Sequence, residues 1–232
     1  MNSRMLILFL LVLTVGDCTR KTEISRPESS PAQSVRGVCN SDFNLNDAIR
    51  NKLSSESYDE AGPASTAILQ LAEKSSECRA EIVKALMQAM NQPDLDFIED
   101  RPSYYLWSRG AAILGKLKAV ESLDLLIDHL DQNDGQYSAS MVHLPAFQGV
   151  KAMGAVAVPK LSQALRQNNN RDIRLAAVLC LFEIGGQDAT EALKEALKSD
   201  SDPCVRRLIE LNFESPTEEV LKQRVFAFRC RN

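Results

Sequence analysis

A chain of 232 residues with 44% hydrophobic content is long enough to bury a normal core, in a round body or an elongated one. Aromatic residues make up 6% while Ala and Leu dominate, a composition that suits close-packed helices better than strands. A formal net charge of −4 leaves no basic surplus for a nucleic-acid partner, and the six cysteines include no CxxC pair of the kind that holds a metal.

In residues 1–17, Arg4 precedes an apolar run from Met5 to Val15. The run is too short to span a bilayer as a helix but matches the core of a secretory signal, so export is expected. Cys18 stands just past it, an arrangement that resembles the bacterial lipoprotein signal, in which cleavage before a cysteine permits lipid attachment. Val15 and Gly16 fit that pattern. Asp17 departs from it, since a small residue is expected there. Cys18 is therefore a candidate lipidation site, with ordinary cleavage near Gly16 or an uncleaved anchor as the other readings. The expected location is the bacterial envelope, as lipoprotein or periplasmic protein, or the exterior. Any membrane attachment would be through that lipid.

Residues 18–40 carry Pro27, Pro31 and several serines without apolar periodicity, and read as a disordered tether. With Cys18 set aside, Cys180 lies on an apolar helix face and reads as a small buried hydrophobe. Cys39, Cys78, Cys204 and Cys230 are then left as candidate disulfide partners in an oxidising compartment. Cys39–Cys78 and Cys204–Cys230 close the shortest loops, worth roughly 3–4 kcal/mol each in the chain-entropy model; three connectivities are open.

Helical patterning starts at Ser41 and is expected to continue through residue 232. Leu45, Ala48, Ile49 and Leu53 make a short amphipathic helix. Ala61-Gly62-Pro63 reads as a break, with Pro63 at the start of the next helix. A face of Ala64, Ala67, Ile68, Leu71 and Ala72 is followed by a second helix over 77–90, and together they make a hairpin near 61–90. Asn91–Tyr104 reads as an acidic connection. Asp131–Gly135 reads as a turn whose glycine is misplaced for a calcium loop.

Further units begin at Trp107, His143, Arg174 and Arg206, spaced by 36, 31 and 32 residues. Leu114, Val150, Leu181 and Phe213 share a column in the first helix, and Gly154 and Gly185 share the turn, where the first unit has Lys118. In the second helix the columns are Leu123, Val158, Thr190, then Leu126, Leu161, Leu193, then Leu130, Leu165, Leu197. The helix from Ile173 to Ile184 is apolar nearly all round, so neighbours must cover it. Gly185-Gly186 ends it, and Asp188 with Glu191 reads as a capping box for the helix that follows. Asp202-Pro203 places an N-cap before a helical proline. Repeats near 103–130, 141–165 and 172–198, with a partial one over 202–232, indicate a helical solenoid.

These units, above all RLAAVLCLFEIGGQDATEALKEAL, AMGAVAVPKLSQAL and DPCVRRLIEL, resemble HEAT repeats of the short kind also seen in phycobilisome lyase-like proteins. The resemblance covers residues 103–213 well and 61–90 loosely. It implies an all-α fold, a right-handed α-solenoid of HEAT-like helical hairpins. It also implies that Arg174 and Arg206 pair with an acid of the adjoining repeat.

No catalytic constellation emerges. His129 reads as a partly buried structural residue and His143 as a cap or solvent-facing one, with no nucleophile or second ligand at productive spacing from either. Trp107, Tyr104 and Tyr105 read as core and rim of a repeat. The residues Lys222, Arg224, Val225, Phe226, Phe228, Arg229 and Arg231 read as end packing. The expected exposed columns of the second helices are Asp128, Gln163, Glu195; Asp124, Pro159, Glu191; and Asp131, Arg166, Lys198, a mixed surface suited to a protein partner. The chain is thus expected to be a protein-binding scaffold or adaptor, not an enzyme, with no cofactor or metal. A lyase-like or chromophore-handling factor and a purely structural envelope component are the alternatives.

Overall fold

Asn44 opens the helical body by accepting a hydrogen bond from the Asp47 amide, 3.0 Å, and so caps α1 (Leu45–Asp47). The computed structural model describes residues 39, 43–91, 100–132 and 144–214. Helix α1 runs on as a π-helical stretch, Ala48–Lys52, closed by Leu53 N–H on the Ala48 carbonyl. Leu45, Ala48, Ile49 and Leu53 are all buried by this segment, as their spacing predicts. The signal region, Cys18 and the tether lie outside the described residues, apart from Cys39.

Helix α2 (Tyr58–Ala72) corrects the expected break, because Pro63 sits inside it. The helix begins five residues earlier than the sequence reading placed it. Asp59 and Glu60 favour that first turn through the helix dipole. One amide is all that Pro63 removes from the ladder. Just beyond it the Ser65 and Thr66 hydroxyls bond the Ala61 and Gly62 carbonyls, at 2.8 and 3.0 Å. Helix α3 (Ser76–Met90) is capped by Ser75, whose hydroxyl accepts from the Cys78 amide at 3.1 Å.

Helix α4 (Arg101–Lys116) starts earlier than the acidic connection was expected to end. Asp100 caps it, and Pro102 stands in its first turn. A 3-10 turn (Val120–Ser122) leads into α5 (Leu123–Asp128). Then come α6 (Pro145–Met153), a second 3-10 turn (Gly154–Ala157) and α7 (Val158–Gln167). Last are α8 (Arg171–Ile184), α9 (Gln187–Ser199) and α10 (Pro203–Glu214). The described residues contain no strand.

The turn column is a conformational one. Gly154 and Gly185 have φ of 70° and 68°, and Lys118, which the repeat alignment puts in the same place, has φ of 49°. All three are left-handed, a geometry glycine adopts freely and lysine at a cost. Gly186 is also left-handed, at 87°, and this overturns the capping box expected at Asp188. Two such residues in succession turn the chain sharply enough for α9 to begin at Gln187. Asp188 thus falls inside the helix, where its charge faces the positive end of the dipole. Glu191 bonds the Gln187 amide group instead, at 2.8 Å. Asp202 caps α10 as expected, accepting from the Cys204 amide at 2.8 Å.

Helices α4, α6, α8 and α10 pack side by side as one row, and α5, α7 and α9 as a second. Leu114, Val150 and Leu181 are fully buried between the rows, as are Leu126, Leu161 and Leu193. Two columns weaken at their ends: Thr190 is half-exposed, its hydroxyl on the Gly186 carbonyl, and Phe213 is 39% exposed. Helix α8 touches α6, α7, α9 and α10, which accounts for its apolar circumference. The α4–α6 crossing is the closest: a Cβ on Gly149 would meet the Ala111 carbonyl at 2.7 Å, and one on Gly115 the Gly149 carbonyl at 2.5 Å.

Candidate functional site

The arginines at the unit starts tie the stack together. Arg174 donates from Nη1 to the carbonyl of Asn168, the residue that ends α7, and Arg206 donates to that of Asp200, which ends α9, at 2.9 and 2.6 Å. Each reaches back six residues to the negative end of the preceding helix. Arg174 also holds the Asp200 carboxylate, 3.0 Å from Nε, with the two side chains 13% and 5% exposed. Both arginines thus converge on one residue between units. Arg79 bonds the Leu117 and Lys118 carbonyls in the same manner, and Arg109 those of Leu53 and Ser55. The sequence reading gave these last two no role.

Trp107 is buried and donates from its indole nitrogen to the Met90 carbonyl at 3.1 Å. Half-buried His129 stacks on it, 4.9 Å between ring centres, with Nδ1 2.8 Å from the Leu125 carbonyl. Tyr104 and Tyr105 lie at the rim, with the Arg101 guanidinium over both rings. Cys39 is disulfide-bonded to Cys78 across a 4.8 Å Cα separation. Cys204 is also disulfide-bonded, and its expected partner Cys230 lies outside the described residues, as do His143, residues 133–135 of the expected Asp131–Gly135 turn and residues 215–232. Cys180 is free, and burial pushes its thiol well above the usual range. Among the described residues no three His, Cys, Asp or Glu side chains gather where they could hold one metal ion.

What remains is a surface. The second helices α3, α5, α7 and α9 present Lys84, Gln88, Asp124, Asp128, Gln163, Glu191 and Glu195 to solvent. Neighbouring helices are bridged across it: Lys160 on α7 reaches Asp124 on α5 at 2.7 Å, and Arg166 on α7 reaches Glu195 on α9 at 3.4 Å. Lys160 stands one place after the Pro159 column, where no repeat position marks it.

Clefts between neighbouring second helices indent this surface. One, about 200 Å³, lies between α5 and α7 and is lined mostly by polar groups, Asp124, Asp128, Lys160 and Gln163 among them. A larger one, about 440 Å³, lies between α3 and α5. Val83, Met87 and Leu125 line it with Ala80, and Lys84, Gln88, Asn91 and Glu121 rim it. No sequence signal marks this groove, because it depends on a gap between helices: α5 packs on α7 and α7 on α9, whereas α3 packs on α4 and barely meets α5.

Stacked antiparallel hairpins sharing one continuous core, with helix ends tied between units, define an α-solenoid repeat protein. Residues 148–213 match the family model of HEAT repeats. No curated protein matches the sequence.

Proposed function

We propose that this HEAT-repeat chain binds another protein through its second-helix surface, as a scaffold or adaptor, and does no chemistry of its own. The observation that carries this reading is the surface itself, mixed in charge and indented by an apolar groove of about 440 Å³. HEAT repeats commonly mediate interactions between proteins. We further propose export, with lipid attachment at Cys18 or residence in the periplasm or outside the cell. The disulfide-bonded Cys39, Cys78 and Cys204 support an oxidising compartment.

Affinity capture from native membranes tests the first proposal. One protein should copurify in stoichiometric amount, and substitution of exposed second-helix residues such as Gln163→Arg or Glu195→Lys should reduce its recovery. If no stoichiometric partner appears, the structural-component reading replaces it. Mass spectrometry of the mature N-terminus tests the second: a diacylated Cys18 is the lipoprotein outcome, and a free end elsewhere removes the anchor.

A further inference from the structure

We infer that the α3–α5 groove receives an amphipathic helix of the partner protein, one that sets a carboxylate beside its apolar face. This deepens the protein-binding reading above and rests on it. From α3 and its C-cap the groove takes Ala80, Val83, Lys84, Met87, Gln88 and Asn91, spaced i, i+3, i+4, i+7, i+8 and i+11. They form one stripe along three turns, about 16 Å at the rise of an α-helix. A trough of that length alongside a helix matches the apolar face of a second helix. A compact small molecule would want its polar contacts gathered in one place.

The floor is suited to such an occupant. Val83 is buried, while half-buried Met87 and Leu125 face the gap, and the unbranched methionine can adapt to the side chains it meets. Charge decides the rest. On the far rim, Glu121 is already held by Arg79 at 3.2 Å. On the near rim, Lys84 and Gln88 are exposed and have no hydrogen-bond or ion-pair partner among the described residues. The groove's uncompensated charge is therefore the Lys84 ammonium, which calls for an Asp or Glu. The two later gaps in the row are spanned by Lys160–Asp124 and Arg166–Glu195. At this one the Arg79–Glu121 pair stands at one end, beside Ala80, and among the described residues no ion pair crosses it at Lys84 or Gln88.

The test is selection of displayed helical peptides, about four turns long, against the full chain, followed by fluorescence anisotropy with the enriched peptides. They should carry apolar residues at i, i+3 or i+4, and i+7, with Asp or Glu alongside. Ala80→Trp fills the groove from an exposed position and should weaken binding by about tenfold or more. Lys84→Glu should weaken it by about tenfold and favour a peptide with Lys in place of its acid. Circular dichroism of both variants should match the parent.

Enrichment of no helical peptide, or indifference to both substitutions, overturns the inference. Saturable binding of 1-anilinonaphthalene-8-sulfonate that Ala80→Trp blocks, without any selected peptide, overturns it in favour of a small apolar ligand. If a stoichiometric native partner is captured and ignores Ala80→Trp but responds to Gln163→Arg, this groove is the wrong place and the protein-binding reading survives. Failure to capture any partner would instead strike that reading itself.

Discussion

Residues 144–214 and residues 43–132 solve the same packing problem by different means. The later region is regular. Its hairpins turn on left-handed glycines, its units are tied by Arg174 and Arg206 to the helix ends before them, and its second helices are bridged by an ion pair. The earlier region replaces the turn glycine by Lys118, carries Pro63 within a helix, inserts a π-helical stretch and fastens its start by the Cys39–Cys78 bond. The match to HEAT repeats falls in the later region, and the apolar groove falls in the earlier one. Departure from the repeat is thus where the stack leaves surface unfilled. Regularity serves cohesion; irregularity leaves room for something else.

The comparison can be broken most severely in the earlier region, by Cys39→Ser. Opening a loop with a sequence separation of 39 should cost about 4 kcal/mol in the chain-entropy model. Hydrogen exchange should locate the loss in α2 and α3 and leave α8 protected. Equal loss throughout would mean that the two regions unfold as one. In the later region the matching test is at Asp200. Its carboxylate is 5% exposed and held by Arg174, so Asp200→Ala should destabilise by about 2–3 kcal/mol, since Arg174 loses its charge partner while keeping the Asn168 carbonyl, and the Asp202 amide loses its acceptor. A shift in urea midpoint at constant slope measures this; a loss below about 1 kcal/mol would class the pair with ordinary surface bridges.

Gly149→Ala probes the crossing that joins the regions. Helix propensity alone favours the change by up to about 1 kcal/mol, but the new methyl would stand 2.7 Å from the Ala111 carbonyl. A net destabilisation of about 1–3 kcal/mol is expected by calorimetry, and a stabilised variant would show that α4 and α6 can part without penalty. The smallest effect belongs to Lys160→Ala. The Lys160–Asp124 pair is largely exposed, so its loss should move stability by less than about 1 kcal/mol and should vanish in high salt.

Much of this architecture was legible because repetition makes each unit a control for the next. The column that places Lys118 with Gly154 and Gly185 foretold a shared turn, and the backbone there is left-handed in all three. The acid expected for Arg174 is Asp200. Other features escaped for physical reasons. Gly115 and Gly149 sit inside helices, and nothing in the local sequence distinguishes a glycine chosen for close approach from one merely tolerated. Asp188 and Pro63 each looked like a helix start, yet the neighbouring Gly186 and the acidic turn at Asp59-Glu60 moved the true starts earlier. The α3–α5 groove was invisible for a deeper reason: amphipathic spacing says which face of a helix is apolar, not how far away its neighbour stands.

Cys180 has a practical consequence. It is the free thiol among the described residues, fully enclosed at the centre of α8, and held protonated by its surroundings. A protonated, sequestered sulfur is inert, so any reagent must wait for α8 to part from its neighbours. The protein therefore contains a native stopwatch for the opening of its stack. The rate at which Cys180 is labelled, under conditions that keep the disulfides intact, would report that opening without a single engineered residue.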